Sequence, residues 1–246
     1  MTAVLPRPEL IFFDVGDTLI RPDPSWVDVY LGACHEFGLE LTREILAEGF
    51  RAALASGALD EMGPFEASPE ASFARIRGFD EAVMAATGHA GLPDAFFRTI
   101  GRRFQERASW HVFPDVPGAL EALAAAGIRR AVISNWIWEA PELLHELELA
   151  PWFETLVISD HVGYNKPHPG IFREALLRTG VEPARALHVG DSYRNDVLGA
   201  RALGIAPVLV ARGLAPGTRP SEVPADDPVP VVTNLVDLLA LVGLGA

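Results

Sequence analysis

Four consecutive apolar residues, Leu10-Ile11-Phe12-Phe13, run straight into Asp14-Val15-Gly16-Asp17, and this junction restricts the fold more than any other stretch. The run is too short for a helix and is bounded by Pro8-Glu9 and a Gly-Asp turn. It therefore reads as a strand buried on both faces, the mark of a parallel sheet. Such a strand delivers the carboxylate of Asp14 at its C-terminal end. In open α/β sheets that edge is where ligands bind, because strand ends and helix N-termini converge on one crevice. Taken alone, Asp14 fits equally the cap of a following helix, and the later strands decide between the two.

Beyond Val112-Phe113-Pro114-Asp115 helices and short strands alternate. A helix over Gly118 to Ala126 stops at Gly127, and strands are expected at 130–134 and about 155–159, 186–190, 206–211 and 229–232. Alternation of this kind implies parallel strands with right-handed crossovers. Between 24 and 108 the pattern differs. Apolar residues recur at three and four positions (Trp26, Tyr30, Ala33, Phe37), and helical patterns continue over 42–55, 69–86 and 93–108. Ser68-Pro69 suits an N-cap followed by proline in the first turn. The expected fold is α/β, a doubly wound parallel sheet formed by residues 1–21 and 112–246. An all-helical cap, residues 22–111, interrupts it after the first strand. A cap entering there sits over the crevice and excludes water from it. Trp110 and His111 fall at its return hinge, and Ala215 to Pro230 reads as an exposed loop.

A formal net charge of −13 over 246 residues disfavours binding to a phosphate backbone, so no nucleic-acid partner is expected. The apolar run from Leu235 to Gly245 carries Asp237 and is too short to span a bilayer. One cysteine, Cys34, forms no intrachain disulfide, and no charged-then-apolar leader opens the chain; a reduced cytoplasmic protein is expected. Seven histidines without paired ligand spacing argue against zinc. The sequence does not set the oligomeric state, and a monomer is the working expectation. Lys166 is the only lysine beside 19 arginines, which marks a place where a compact ammonium serves better than a planar fork.

Three further strands end in polar residues suited to one site. Ala131-Val132-Ile133 ends in Ser134-Asn135, Leu156-Val157-Ile158 leads to Lys166 before a helix start, and Leu187-His188-Val189 ends in Gly190-Asp191. In one parallel sheet Asp14, Ser134, Lys166 and Asp191 share an edge. Paired carboxylates suit Mg²⁺, which prefers oxygen ligands. A hydroxyl, an ammonium and backbone amides suit phosphate oxygens, and an Asp held against both is a nucleophile for phosphoryl transfer.

This order of motifs resembles the haloacid dehalogenase superfamily of hydrolases, in particular subfamily I, whose helical cap lies between the first and second motifs. The motifs stand here as Asp14-Val15-Gly16-Asp17-Thr18-Leu19, Ser134-Asn135, Lys166 with its Pro-x-Pro-x-Ile-Phe continuation, and Gly190-Asp191 with Asp196 five residues on. The resemblance implies a Rossmann-like core, with Asp14 as nucleophile and Mg²⁺ ligand. The Gly16 carbonyl and Asp191 would be further ligands, and Asp196 would orient the metal's shell. Ser134, Asn135 and Lys166 would hold the phosphoryl group.

Most phosphatases of this superfamily carry a second Asp, the general acid, where this chain has Gly16. Asp17 reads as a turn residue whose side chain alternates away from Asp14, with a substitute acid as the other reading. The expectation is a Mg²⁺-dependent phosphatase acting through an aspartyl phosphate on a small phosphorylated metabolite, weak on alkyl esters. A 2-haloacid dehalogenase, which expels halide without a proton, and a catalytically silent binding protein are the alternatives. The absence of any lysine besides Lys166 argues against a Schiff-base phosphonate hydrolase. Trp136 is a candidate pocket residue, His188 reads as core, and Arg102-Arg103 and Arg129-Arg130 read as solvated surface.

Overall fold

The computed structural model describes residues 5–215 and 218–245. Strand β1 (Leu10–Phe13) is buried along its whole length. Successive strand residues face opposite sides, so Ile11 and Phe13 enter one apolar layer and Leu10 and Phe12 enter another. Seven more strands follow: β2 (Ile20–Pro22), β3 (Trp110–Val112), β4 (Arg129–Ser134), β5 (Leu156–Ile158), β6 (Ala186–Gly190), β7 (Ala206–Val210) and β8 (Val231–Val232). Six of them form one sheet in the order β5-β4-β1-β6-β7-β8, with every pairing parallel.

Among the described residues ten α-helices accompany the strands. Four precede β3: α1 (Trp26–Glu36), α2 (Arg43–Ala55), α3 (Pro69–Ala86) and α4 (Asp94–Gln105). The others are α5 (Val116–Ala125), α6 (Ala140–Glu146), α7 (Ser159–Val162), α8 (Pro169–Thr179), α9 (Gly199–Arg201) and α10 (Leu235–Leu241). Leu120, Leu143 and Leu238 bring α5, α6 and α10 onto the Ile11 and Phe13 face, while Ile171, Phe172 and Ala200 bring α8 and α9 onto the Leu10 and Phe12 face. Helices on both faces of a parallel sheet make the fold doubly wound and Rossmann-like. From β1 the chain builds outward through β4 and β5, then returns to the other side of β1 as β6. The order therefore reverses beside β1, and a crevice opens at the C-terminal ends of β1 and β6.

Helices α1, α2 and α3 each start at a hydroxyl N-cap, Ser25, Thr42 and Ser68, whose oxygen accepts a first-turn N–H. They pack with α4 around their own cluster, including Leu46, Phe79, Val83, Phe96, Phe97 and Ile100. Each such side chain contributes about 1.5–3 kcal/mol on burial, so these helices carry a core separate from that of the sheet.

The connection to these helices is more than a change of pattern after residue 21. It is a two-stranded antiparallel ribbon that registers Ile20 with Val112, Arg21 with His111 and Pro22 with Trp110. Strands of three residues are too short for a periodic signal, and this pairing joins segments about 90 residues apart. The Arg129-Arg130 pair is not free surface either. Arg129 donates to Glu9, Glu154 and the Thr179 carbonyl, and Arg130 donates to the Trp152 and Ile128 carbonyls, which ties β4 to neighbouring chain ends. Arg102 and Arg103 both pair with Glu36. The loop read over Ala215 to Pro230 is irregular where described, with 216 and 217 outside the described residues. Among the described residues no helix is long and apolar enough to cross a membrane.

Candidate active site

The strand ends bring Asp14, Ser134, Lys166, Asp191 and Asp196 together. Ser134 Oγ, at the end of β4, donates to Asp14 Oδ1 at 2.9 Å, and Lys166 Nζ donates to the same oxygen at 2.6 Å. The ammonium also donates to Asp196 Oδ1 at 2.6 Å. Asp196 is held further by His188 Nε2 at 2.8 Å and by the Ser192 N–H at 2.9 Å. Gly190 explains how Asp196 comes so close, because a Cβ there would lie 2.1 Å from the Asp196 carboxyl carbon. The last residue of β6 must be glycine for this carboxylate to occupy its place.

Asn135 grips the Lys166 backbone from both sides: its Nδ2 donates to the Lys166 carbonyl at 3.0 Å and its Oδ1 accepts from the Lys166 N–H at 2.6 Å. Its side chain is thus committed to setting the lysine loop.

Carboxylate oxygens of Asp14, Asp191 and Asp196 lie within 4.8 Å of one another. Three carboxylates surround one ammonium, which pairs with Asp14 and Asp196, so the cluster carries excess negative charge. Burial, together with the charges of Asp14 and Asp196, pushes Asp191 up to about 8. Burial opposes the Lys166 charge, yet the two adjacent carboxylates outweigh it and raise its pKa. Asp196, despite burial, is held well below the usual carboxylate range by Lys166 and His188. A small divalent cation with oxygen preference fits this donor set, since it would relieve both the crowding and the charge.

Gly16 and Trp136 share a wall of the crevice. A Cβ at Gly16 would meet Trp136 Cζ3 at 3.1 Å, so the indole fills the space a side chain there would enter. Asp17 adopts a left-handed backbone with φ of 51°, and its N–H donates to the Ile20 carbonyl at 2.7 Å. The turn reading of Asp17 agrees with this geometry. The alternation argument does not hold, because the chain is no longer extended there, and Asp17 lines the same cavity as Asp14. That cavity has a volume of about 1230 Å³ and runs from the strand ends up between the inserted helices.

His188, read from sequence as core, is buried on β6 and supports Asp196 directly. Its sequence signal was the two-residue alternation that places His188 and Gly190 on one side of the strand. Asp160 and Ser72 were not singled out at all. Ser72 on α3 donates to Asp160 on α7, Arg75 pairs with the same carboxylate, and the Trp138 N–H donates to Ser72 Oγ at 3.0 Å. These bonds fasten the inserted helices to the sheet side of the crevice.

The family described as haloacid dehalogenase-like hydrolase matches residues 8–204. The human haloacid dehalogenase-like hydrolase domain-containing protein 3 is 32% identical over 238 residues, covering 94% of this chain and 93% of its own. A glyceraldehyde 3-phosphate phosphatase of Methanothermobacter thermautotrophicus is 29% identical over 218 residues, covering 85% and 88%. Among solved structures, the magnesium-bound HAD-hydrolase YfnB of Bacillus subtilis superposes with a TM-score of 0.74 at 15% identity, covering 96% of this chain and 99% of that one. The L-2-haloacid dehalogenase of Xanthobacter autotrophicus shares the fold to a similar degree, with a TM-score of 0.72 at 22% identity and coverage of 97% and 100%. On the strength of a match that spans most of its length, the chain belongs to the haloacid dehalogenase-like hydrolases.

Proposed function

We propose that this protein is a Mg²⁺-dependent phosphatase that works through an aspartyl phosphate on Asp14, with a preference for substrates whose leaving group needs no proton. The observation that carries this reading is the convergence of Ser134 and Lys166 on one oxygen of Asp14 beside a cluster of three carboxylates. Ser134 Oγ and Lys166 Nζ are placed to bind the phosphoryl oxygens while Asp14 attacks phosphorus, and the leaving oxygen departs into the cavity. Water then attacks the aspartyl phosphate and releases inorganic phosphate. Asp14, the Gly16 carbonyl and Asp191 would hold the Mg²⁺, with Asp196 orienting its surroundings. When bound, the cation supplies positive charge that screens the meeting of two anions. A phosphatase among the relatives and a magnesium-bound structural neighbour support the class.

The 2-haloacid dehalogenase reading accounts for Gly16, since halide leaves unprotonated. It leaves unexplained the third carboxylate, Asp191, whose charge has no role in metal-free displacement. The helices over residues 22–111 act in this proposal as a cap that closes over the small phosphorylated substrate, inside a reduced cytoplasm. Release of phosphate from p-nitrophenyl phosphate tests the proposal. Turnover should require Mg²⁺ and vanish in Asp14→Asn; halide release from a 2-haloacid without added metal would overturn it.

A further inference from the structure

Of the cavity's carboxylates that this chemistry does not use, Asp80 is set apart by being buried without a paired cation among the described residues. Asp80 on α3 is 2% exposed, lines the cavity, and accepts a hydrogen bond from the Tyr30 hydroxyl of α1. No cation pairs with it among the described residues. A buried carboxylate with one neutral partner is expensive to keep, and burial pushes Asp80 up to about 7. A ligand that brought a hydrogen-bond donor of positive charge would satisfy it.

The path from the nucleophile to this carboxylate is marked by rings. Trp136, against Gly16, lies 5.1 Å from Trp110; Trp110 lies 6.0 Å from Phe104, and Phe104 5.9 Å from Tyr30, centroid to centroid. All four rings line the cavity. A leaving group that extends from the phosphoryl site toward Asp80 therefore meets an aromatic wall. Of the two guanidiniums on the helical part of that cavity, Arg75 is held by Asp160, while Arg51 is exposed, 3.8 Å from Glu48, in a stretch of the lining that Glu44 and Glu61 make acidic. Beside Asp80 itself, among the described residues, an anionic tail would meet a carboxylate that no cation balances.

We propose that Asp80 and Tyr30 form a specificity subsite for the far end of the leaving group, and that this end is an ammonium carried on an apolar body. The substrate class is then an amine-bearing phosphate ester, with a phenyl or similar flat spacer suited to the rings. The proposal rests on the phosphatase reading for its orientation: phosphate at Asp14, amine at Asp80.

Three aryl phosphates of nearly equal size test it: O-phosphotyramine, para-propylphenyl phosphate and the phosphate ester of para-hydroxyphenylpropionate. The full chain with Mg²⁺ should favour the amine over the propyl compound by about tenfold to a hundredfold in kcat/KM, the range expected of a charge-assisted hydrogen bond. The carboxylate compound should be the poorest. Asp80→Asn keeps an acceptor for Tyr30 and should bring the amine-to-propyl ratio near one. The ratio is internal to each protein, so a general loss of activity cancels. A pair that served packing alone would lower the thermal midpoint in Asp80→Asn and leave the ratio unchanged, which would overturn the proposal. Calorimetric binding of the three compounds to Asp14→Asn reads the subsite without chemistry. Amine preference in binding with no turnover by the native protein would refute the phosphatase reading alone. Turnover without amine preference would refute the subsite alone.

Discussion

Trp136 stands against the backbone of Gly16, its Cζ3 3.1 Å from where a Cβ would be. Two residues that are 120 apart in sequence thus share one space, and the position that carries an acid in most phosphatases of the family is here backed by an indole. General acid catalysis typically contributes about 10² to 10⁴ in rate, and leaving groups that depart as stable anions need it least. The native protein should therefore turn over p-nitrophenyl phosphate at least about 10² faster than simple alkyl phosphates, compared as kcat/KM. Gly16→Asp alone should recover little, because the new side chain meets Trp136. Gly16→Asp combined with Trp136→Ala should raise alkyl turnover by about tenfold or more. Equal rates on both substrate classes in the native protein would refute the assignment.

The crowding of Asp14, Asp191 and Asp196 predicts a stability that responds to metal. A ligand that binds only the folded state at a hundredfold excess over its Kd stabilises by about 2.7 kcal/mol. Millimolar Mg²⁺ should raise the thermal midpoint, EDTA should reverse the gain, and Asp191→Asn should remove most of it. The sign with pH follows from Asp191, which is raised to about 8. The free site loses stability as pH rises from about 4 toward 8, since the folded state then gives up a proton it holds more tightly than the unfolded chain does. Mg²⁺ competes with that proton, so its stabilisation should grow over the same window.

The sheet and the residues at its edge were legible because β1, β4, β5 and β6 each carry a short apolar run that gives way to a polar residue, a signal that survives without tertiary context. The four inserted helices were legible through their period and through the Ser68-Pro69 start. What stayed hidden depends on contacts distant in sequence. Ile20 pairs with Val112, and neither segment has enough residues to show a strand pattern alone. Asp17 takes a left-handed conformation that propensity assigns to Gly or Asn before Asp, so the alternation argument used a backbone the turn does not have. His188 has the composition of a core residue and differs only through Asp196, a partner that the wide turn after β6 brings back beneath it.

Asp160 couples α3 to the sheet side of the crevice. Its carboxylate, 6% exposed, takes both Ser72 and Arg75 from α3. Removing one member of a buried charge pair typically destabilises by about 3–5 kcal/mol, and Arg75 is only partly buried, so the lower end applies. Asp160→Ala should loosen the cap without unfolding the sheet. Hydrogen exchange should quicken in α3 and in the 57–66 segment, which meets the sheet side through the Phe65 N–H on the Gly163 carbonyl. Protection of β1 and β4 should be unchanged. Turnover should fall, because an open cavity admits water and disperses the substrate. Equal loss of protection in cap and sheet would show that Asp160 serves the whole fold.

Asp80 gives a stability signature of its own, independent of any substrate. Its carboxyl is raised to about 7, by burial first, while the hydrogen bond from Tyr30 opposes the rise. A folded-state pKa above the unfolded one means that the folded protein binds the proton more tightly between about pH 4 and 7. Stability therefore falls as pH rises through that window. At 1.36 kcal/mol per unit the full effect is on the order of 4 kcal/mol. Asp80→Asn, which cannot ionise, should flatten this slope: the variant should gain on the native protein steadily from pH 4 to pH 8, in thermal midpoint or in denaturant titrations. Parallel curves would mean that the carboxyl is ionised throughout and that a cation absent from the described contacts already balances it.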